Sequence, residues 1–315
     1  MAEWNKLLLG KQAKELGFVR DTYEKVCRLT EILKFFENDD LLGRSLALKG
    51  GTAINLTIFN LPRLSVDIDL DFSENVPLDE MMALRSKISD QIEKYMIAND
   101  YSLSLKSKQY HALDSFVFEY SNAAGMNDNI KIEINYMLRC HILQIEQRRF
   151  KSAWESAGVS VLSVVPIEIF SSKIVALLNR TAPRDIYDIY NLVKFGLFDE
   201  SEEILMRKCV VYYSAIASEH PPSEFKLSNI GQATQNQIKR DLYPVLRSKE
   251  RFDLQAAQTQ VKTWLEALLN LEDNEWEFLN AFRIKEYHPE LLFESDEILE
   301  RVKNHPMALW KCSQK

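Results

Sequence analysis

The sequence has few cysteines, and they lie far apart. Cys27, Cys140, Cys209 and Cys312 contain no Cys-x-x-Cys pair, so neither a disulfide framework nor a structural zinc site is expected. The five histidines form no His-Glu-x-x-His motif, which removes the usual sign of a zinc protease. This cysteine usage fits a protein of a reducing cytosol.

Long hydrophobic runs are also missing. No stretch of about 18 apolar residues occurs, so we expect no membrane span. The first residues, Met1-Ala-Glu-Trp, do not form a basic region followed by an apolar run, so no signal peptide is predicted. We therefore expect a cytoplasmic protein that has no contact with the membrane.

The sequence carries no excess of positive charge. Its formal net charge is −7, so it lacks a basic coat for nucleic acid, and a polyanion would have to be met by a local basic patch. Substrate phosphates can instead be handled through metal ions, which invert the charge logic of an acidic site. The 315 residues, 46% of them hydrophobic, are enough for two folded domains.

The first half of the chain has a mixed α/β pattern. Helical periodicity covers residues 20–38 and 78–97. Strand patterns cover 46–49, 66–72, 101–107, 113–120 and 130–137. These patterns predict a sheet of four to six strands.

The second half of the chain is predicted to be helical. Pro166 and Pro183 each stand at a helix start, and Gly196 ends the second of these helices. Further helices are predicted near residues 200–218, 229–242, 253–270, 273–283 and 295–303. The fold class is therefore α/β (α+β), with a mixed-sheet lobe over residues 1–160 and a helical lobe over 161–315.

The strand over residues 66–72 places three acids on one face. Asp67, Asp69 and Asp71 alternate with apolar residues, so the acids share one side and the apolar residues face the core. Crowded carboxylates repel each other unless a cation lies between them, and hard oxygen ligands suit Mg²⁺ or Mn²⁺. The alternative is an acidic strand face that is simply solvated.

A glycine turn precedes this strand. Gly50-Gly51-Thr52 follows a buried strand and opens a helix that Thr52 could cap. Glycines let backbone N–H groups approach phosphate oxygens, and a helix N-terminus adds positive potential. A lone Gly-Gly is more often a plain turn. The order of strand, Gly-Gly-Thr, helix and Asp-x-Asp strand, however, resembles the DNA-polymerase-β-like nucleotidyltransferase superfamily.

The residues in and around these motifs resemble one family within that superfamily. Residues 49–56 (Lys-Gly-Gly-Thr-Ala-Ile-Asn-Leu) and 61–72 resemble the AbiEii family of toxin nucleotidyltransferases. Members carry a Gly-Gly-Thr turn and an Arg-x-Ser-x-Asp-[Ile/Leu]-Asp block, which here is Arg63, Ser65, Asp67 and Asp69. The stretch between the glycines and the acids is longer than in compact members of the superfamily.

A second block of this family lies farther along the chain. Residues 170–180 and 183–192 resemble its Lys-containing helix and its Arg-Asp-x-x-Asp helix. The resemblance implies that Lys173 contacts nucleotide phosphate and that Asp185 is a distal essential acid, supported by Arg184 and Asp188. Without the resemblance, Lys173 could be a surface lysine and Asp185 an acid favoured by the helix dipole.

Two further features of the sequence are candidates for the site. Glu133 lies on the polar face of the strand over residues 130–137 and is the candidate third carboxylate, although it could equally be a solvent-facing residue beside Lys131. Arg148-Arg149, followed by Phe150 and Lys151, could grip RNA phosphates, but such a cluster is more often a solvated loop.

The resemblance implies a bilobed enzyme that transfers NMP from an NTP and releases pyrophosphate with the help of Mg²⁺ or Mn²⁺. It implies that Asp67 and Asp69 bind the metal, and that Glu133 or Asp185 acts on the attacking hydroxyl. The triphosphate would be held by Gly50, Gly51, Thr52, Ser65 and Lys173, with Arg63, Arg184 and Asp188 in support. Relatives act as toxins in bacterial phage defence, paired with an antitoxin that need not bind directly, and some modify the 3′ end of tRNA.

Two other functions are compatible with this sequence. The same fold could transfer a nucleotide to a small molecule, such as an antibiotic, or to a protein. A protein with a decayed site could bind a nucleotide or a partner without catalysis, although the presence of Asp67, Asp69 and Lys173 argues against decay.

Overall fold

A computed structural model describes residues 4–151 and 158–314 of the chain. These residues form two compact units. Unit 1 contains the described residues up to Arg139, those of Ile145–Val164, and Pro244–Glu250; unit 2 contains Cys140–Gln144, the residues from Val165 to Tyr243, and those from Arg251 onward. None of the helices in the described ranges is both long enough and apolar enough to cross a membrane.

Unit 1 is built around one mixed sheet. Within the described residues it has eight strands: β1 (Leu46–Lys49), β2 (Asp67–Phe72), β3 (Ser102–Leu103), β4 (Lys108–Gln109), β5 (Leu113–Ser121), β6 (Asn127–Asn135), β7 (Glu146–Arg149) and β8 (Ser160–Ser163). Their order is β3-β5-β6-β2-β1-β8-β7, and β4 also pairs with β5. Strand β2 therefore lies in the middle of the sheet.

The prediction of four to six strands is wrong. Of the predicted strand over residues 101–107 only β3 is a strand, because Ser107 N–H donates to the carbonyl oxygen of Ser104 and closes a turn; β4 begins after this turn, at Lys108. Strand β7 was missed because its sequence, Glu-Gln-Arg-Arg, has no apolar alternation. Strand β8 was missed because its sequence, Ser-Val-Leu-Ser, has neither an apolar run nor an apolar alternation.

Alternation explains why β2 occupies the centre of the sheet. Ile68, Leu70 and Phe72 are buried, and they point to the opposite face from the three acids. Strand β2 pairs antiparallel with β1 and parallel with β6. Ile132 and Ile134 of β6 are buried on the same side, so the two central strands form one apolar face and one polar face.

The helices of unit 1 follow the apolar periodicity of the sequence. They are α1 (Lys6–Leu16), α2 (Arg20–Asn38), α3 (Leu42–Ser45), α4 (Gly50–Ala53), which continues into a π-helical turn (Ile54–Ile58), and α5 (Leu78–Ala98). The predictions for 20–38 and 78–97 are confirmed to within one residue. The buried face of α2 carries the predicted apolar positions Val26, Leu29, Ile32, Leu33 and Phe36.

Unit 2 is helical in its described residues. Its α-helices are α6 (Pro166–Asn179), α7 (Pro183–Phe195), α8 (Glu200–Ala217), α9 (Gln235–Gln237), α10 (Leu254–Leu268), α11 (Asp273–Arg283), α12 (Asp296–Val302) and α13 (Pro306–Ser313). Pro166 and Pro183 begin α6 and α7 as predicted, and Gly196 ends α7 in a left-handed conformation with φ of 54°.

The prediction of a single helix over residues 229–242 is wrong. That stretch is a 3₁₀ turn (Ser228–Gln232), the short α9 and a π-helical turn (Ile238–Leu242). Thr234 and Gln237 form a capping box, which starts a new helix at that point. Apolar periodicity alone predicts one continuous helix here, but the capping box within the pattern divides it.

Candidate active site

The polar face of β1, β2 and β6 gathers the predicted acids. In the pairing register, Asp69 of β2 stands opposite Lys49 of β1 on one side and Glu133 of β6 on the other. Asp67 stands opposite Lys131. Residues paired in register point to the same face of a sheet, so Glu133 lies beside Asp69 in one row across three strands.

Asp71 occupies the same face but has a different environment. It is buried, and its carboxylate forms an ion pair with the Lys49 ammonium group. Its ion pair with Lys49 gives it a structural partner on the neighbouring strand.

Lys131 is a basic residue in the middle of the acidic face. Its Nζ lies 2.9 Å from a carboxylate oxygen of Glu133. Partial burial lowers the pKa of Lys131, but the hydrogen bond and charge of Glu133, together with the charges of Asp67 and Asp69, outweigh it and raise the pKa overall. Sequence reasoning assigned Lys131 no role, although its position in the alternation was a signal that could have found it.

The glycine turn packs directly against Asp69. Gly50 has φ of +67°, a left-handed conformation that favours glycine, and a Cβ built on it would lie 2.5 Å from Asp69 Oδ2. A Cβ on Gly51 would lie 2.8 Å from Arg63 Nη2 and 2.9 Å from Ser65 Oγ. Both glycines thus allow close approach of site side chains to the backbone of the turn.

The prediction that Thr52 caps the following helix is wrong. The helix begins at Gly50, and its N-cap is Lys49, which makes no side-chain capping bond. The left-handed φ of Gly50 turns the chain into the helix two residues before Thr52. The Thr52 hydroxyl instead donates to the backbone carbonyl oxygen of Asp67, so it ties the turn to β2.

Arg63 supports the turn from within the protein. Only 2% of its surface is exposed, and its Nη1 donates to the Leu64 carbonyl oxygen at 2.9 Å. Asn55 links the two segments, because its Nδ2 donates to Gly51 O at 2.6 Å while its Oδ1 accepts from the Arg63 N–H at 3.3 Å. Arg63 is therefore connected to the Gly-Gly turn through Asn55.

The face is compatible with a divalent cation whose shell is completed by substrate. No three His, Cys, Asp or Glu side chains converge on one metal position in residues 4–151 and 158–314. Mg²⁺ usually keeps several waters and is held by one or two carboxylates together with substrate phosphates. Asp67 and Asp69, next to a glycine turn that would admit phosphate, are a donor set of that kind.

The second predicted block forms a buried ion cluster in unit 2. Lys173 Nζ on α6 lies 3.0 Å from Asp185 Oδ1 and 3.2 Å from Asp188 Oδ2 on α7. Arg180 Nε donates to the other oxygen of Asp185 at 3.0 Å. Only 11% of the Lys173 side chain is exposed, so it is not an ordinary surface lysine.

The remaining predicted basic residues have separate surroundings. Arg184 Nε donates to the Asp241 carbonyl oxygen at 2.8 Å within unit 2. In unit 1, Arg148 forms an ion pair with Glu146 on the edge strand β7. Arg149 and Lys151 are exposed on either side of the buried Phe150.

A helix-opening glycine turn packed on Asp69, in a central strand of a mixed sheet, is the arrangement expected of a nucleotidyltransferase. A family model described as nucleotidyl transferase AbiEii toxin of a type IV toxin–antitoxin system matches residues 34–282. The chain belongs to this family and is a nucleotidyltransferase toxin. Membership implies an NTP substrate, a cognate antitoxin and, in most members, a divalent metal ion.

A solved structure supports the fold. The chain is similar to MenT4, a nucleotidyltransferase toxin from Mycobacterium tuberculosis H37Rv, with a TM-score of 0.67 and 13% sequence identity over 98% of this chain and 99% of that one. A search of curated proteins gave no match. The similarity to MenT4 confirms the predicted mixed α/β class.

Proposed function

We propose that this chain transfers NMP from an NTP to the 3′ end of tRNA, with Mg²⁺ or Mn²⁺ held by Asp67 and Asp69. The observation that carries the proposal is the contact between Asp69 and the Gly50 turn, in the same row of the sheet as Glu133. A phosphate-binding turn and a pair of metal ligands in direct contact are what transfer from a triphosphate requires.

The nucleotide would be bound through the turn. The first turn of a helix leaves backbone N–H groups without intrahelical acceptors, and these groups can donate to the β- and γ-phosphates. Gly50, Gly51 and Thr52 would provide these donors. The Ser65 hydroxyl lies against Gly51 and would add a side-chain donor. A bound divalent ion would neutralise the charge that develops on the phosphates.

The attacking hydroxyl would be handled by a further carboxylate. Glu133 is the better supported candidate because it stands in register with Asp69. Asp185 is held by Lys173 and Arg180, which favours a part in organising unit 2. In this proposal Lys173 keeps the role in nucleotide binding that the AbiEii resemblance implies, and Arg184 and Asp188 support Asp185 from the same helix.

The RNA acceptor would be bound by a local patch of basic side chains. The chain is acidic overall, so RNA contacts must be concentrated in a patch. Arg149 and Lys151 are exposed at the edge strand β7 and are our candidates for phosphate contacts. The choice of tRNA as acceptor rests on the AbiEii resemblance. We further propose that the transfer halts growth of infected bacteria and that the antitoxin relieves it without binding the toxin.

The test is a labelling experiment with the full chain. Purified protein is incubated with Mg²⁺ and each of the four α-³²P NTPs in turn, in the presence of total RNA, a protein extract or an aminoglycoside. We expect label in tRNA, at a position that 3′-end sequencing identifies. Label from γ-³²P NTP is not expected, because pyrophosphate leaves with the γ-phosphate.

Asp69→Asn is the decisive variant, because it keeps the shape of the side chain and removes its charge. We expect it to fold normally and to transfer no label. Persistent labelling by Asp69→Asn would overturn the site. Labelling of protein or aminoglycoside in place of tRNA would overturn the acceptor. Growth inhibition on expression should disappear together with the transfer activity.

A further inference from the structure

The acidic face of the sheet contains its own cations. Strands β1, β2 and β6 place four carboxylates and two ammonium groups on this face, an excess of two negative charges, which equals the charge of one divalent ion. The register sets the members of this group: Lys49, Asp67, Asp69, Asp71, Lys131 and Glu133. The two lysines differ in their partners, because Lys49 pairs with the buried Asp71 and Lys131 with Glu133.

Lys131 stands next to the candidate metal ligands. It is paired in register with Asp67, and its Nζ lies 2.9 Å from the Glu133 carboxylate. Neighbouring strands are about 4.8 Å apart, so the ammonium group is within the electrostatic range of both Asp67 and Asp69. The Lys131 side chain is 38% exposed, so it can move toward solvent without breaking the core.

We propose that Lys131 is the resident counter-cation of this face and competes with a divalent ion for its carboxylates. The proposal rests on the assignment of Asp67 and Asp69 as metal ligands. Lys131 lowers the affinity for free metal, and nucleotide phosphates offset its charge when they bind. The enzyme therefore takes up metal tightly only together with its NTP. Lys131 is a positioning residue that acts through the carboxylates.

The size of the effect follows from Coulomb's law. A single and a double positive charge about 6 Å apart in water repel each other enough to change an affinity roughly tenfold. Screening by salt and movement of the side chain reduce this value. We therefore expect removal of the Lys131 charge to tighten binding of free metal by roughly three- to tenfold.

The experiment titrates Mn²⁺ into the full chain without nucleotide and follows free Mn²⁺ by electron paramagnetic resonance. Lys131→Met should bind Mn²⁺ roughly three- to tenfold more tightly than wild type, whereas Lys131→Arg, which keeps the charge, should stay within about twofold. The titration is then repeated with a saturating non-hydrolysable NTP analogue. There the difference between Lys131→Met and wild type should shrink.

The matched control is Lys25→Met. Lys25 Nζ lies 2.7 Å from Asp128 on the same strand β6, but alternation places Asp128 on the opposite face. This variant removes an ion-paired lysine without changing the charge of the acidic face, so its Mn²⁺ affinity should match wild type. An equal gain in Lys25→Met and Lys131→Met would overturn the proposal, because it would reflect net charge alone.

Asp69→Asn separates this inference from the proposed function. If Asp69→Asn abolishes Mn²⁺ binding while Lys131→Met leaves the affinity at or below wild type, the counter-cation role is wrong and the metal site stands. If Asp69→Asn binds Mn²⁺ like wild type, the metal site itself is wrong, and the role of Lys131 falls with it.

Discussion

Gly50 and Asp69 are in such close contact that no side chain fits between them. A Cβ at Gly50 would lie 2.5 Å from Asp69 Oδ2 and 3.2 Å from the Asp69 Cγ. The left-handed φ of +67° at Gly50 is itself costly for residues other than glycine. The turn and the acid therefore form one structural unit, and a change in either one moves the other.

We expect Gly50→Ala to remove most of the activity. The added methyl group must push the Asp69 carboxylate away from its present position, and a displacement of about 1 Å in a catalytic group can cost roughly 100-fold in rate. The free energy of unfolding should fall by about 1–2 kcal/mol because of the left-handed backbone. Labelled NMP transfer and urea denaturation measure the two effects.

Gly125→Ala is the control for backbone strain. Gly125 also has a left-handed φ, of +77°, but nothing lies within 4 Å of its Cβ position, and it stands in the loop between β5 and β6. This variant should lose a similar amount of stability and keep the wild-type transfer rate. If Gly50→Ala is as active as Gly125→Ala, the contact with Asp69 has no catalytic importance.

Local patterns were enough to predict the parts of the site that lie along one strand or one turn. Strict alternation of apolar and acidic residues predicted β2 and the face of its acids, and the Gly50-Gly51 pair predicted the turn. The row of Lys49, Asp69 and Glu133 depends on which strands become neighbours. Alternation gives the face of each residue but not its partner on the neighbouring strand, so the ion pair of Lys49 with Asp71 could not be derived from the sequence.

The sequence also contains no sign that the segment Pro244–Glu250 belongs to unit 1. The Leu64 N–H donates to the Val245 carbonyl oxygen, and Arg63 forms a β-bridge with Leu246. The segment Pro244–Glu250 therefore belongs to unit 1, although it follows a long helical stretch of unit 2. A single bridge between distant residues leaves no periodic trace, so the sequence offered no signal for it.

We expect Lys173→Met to destabilise unit 2 strongly. Its ammonium group lies between the buried carboxylates of Asp185 and Asp188, and removal of one partner from a buried ion pair typically costs about 3–5 kcal/mol. The double variant Lys173→Met with Asp188→Asn should recover part of this loss, because it removes one of the unpaired charges. Urea denaturation followed by circular dichroism measures both.

Lys34→Met is the comparison for a partly exposed pair. Lys34 Nζ lies 2.6 Å from Glu31, and the two side chains are 29% and 41% exposed, so the loss should stay below about 1 kcal/mol. If Lys173→Met is no less stable than Lys34→Met, the cluster in unit 2 contributes little to stability. A loss of transfer activity in a stable Lys173→Met would then favour a direct role at the phosphates.

Glu168 predicts a pH dependence of stability. Its buried carboxylate accepts N–H bonds from Ile142 and Leu143 and the hydroxyl of Tyr213. Burial raises the pKa of Glu168 above its ordinary 4.5, and the charge of His141 and these hydrogen bonds offset burial only in part. The folded protein therefore holds this proton more tightly than the unfolded chain does.

The direction in which stability changes with pH follows from the difference in proton binding between the folded and unfolded states. A raised folded pKa contributes stability that is fully present below pH 4.5 and is lost as the pH rises through the folded pKa. Glu168→Gln cannot titrate, so its free energy of unfolding relative to wild type should increase as the pH rises. Urea denaturation of both proteins between about pH 4 and 8 measures this difference, in which the titration of other groups largely cancels.

Glu290→Gln provides a control of opposite sign. A hydrogen bond from its own backbone N–H and a further one from His288 lower the pKa of Glu290, so its ionised form contributes stability that is present above pH 4.5 and is lost as the pH falls through the folded pKa. Relative to wild type, Glu290→Gln should therefore lose stability as the pH rises through the folded pKa of Glu290, below the range in which His288 titrates, while Glu168→Gln gains stability. The difference in the free energy of unfolding between Glu168→Gln and wild type could instead stay constant with pH. Burial would then not hold the Glu168 carboxyl group protonated, and the ionised carboxylate would accept the N–H bonds of Ile142 and Leu143.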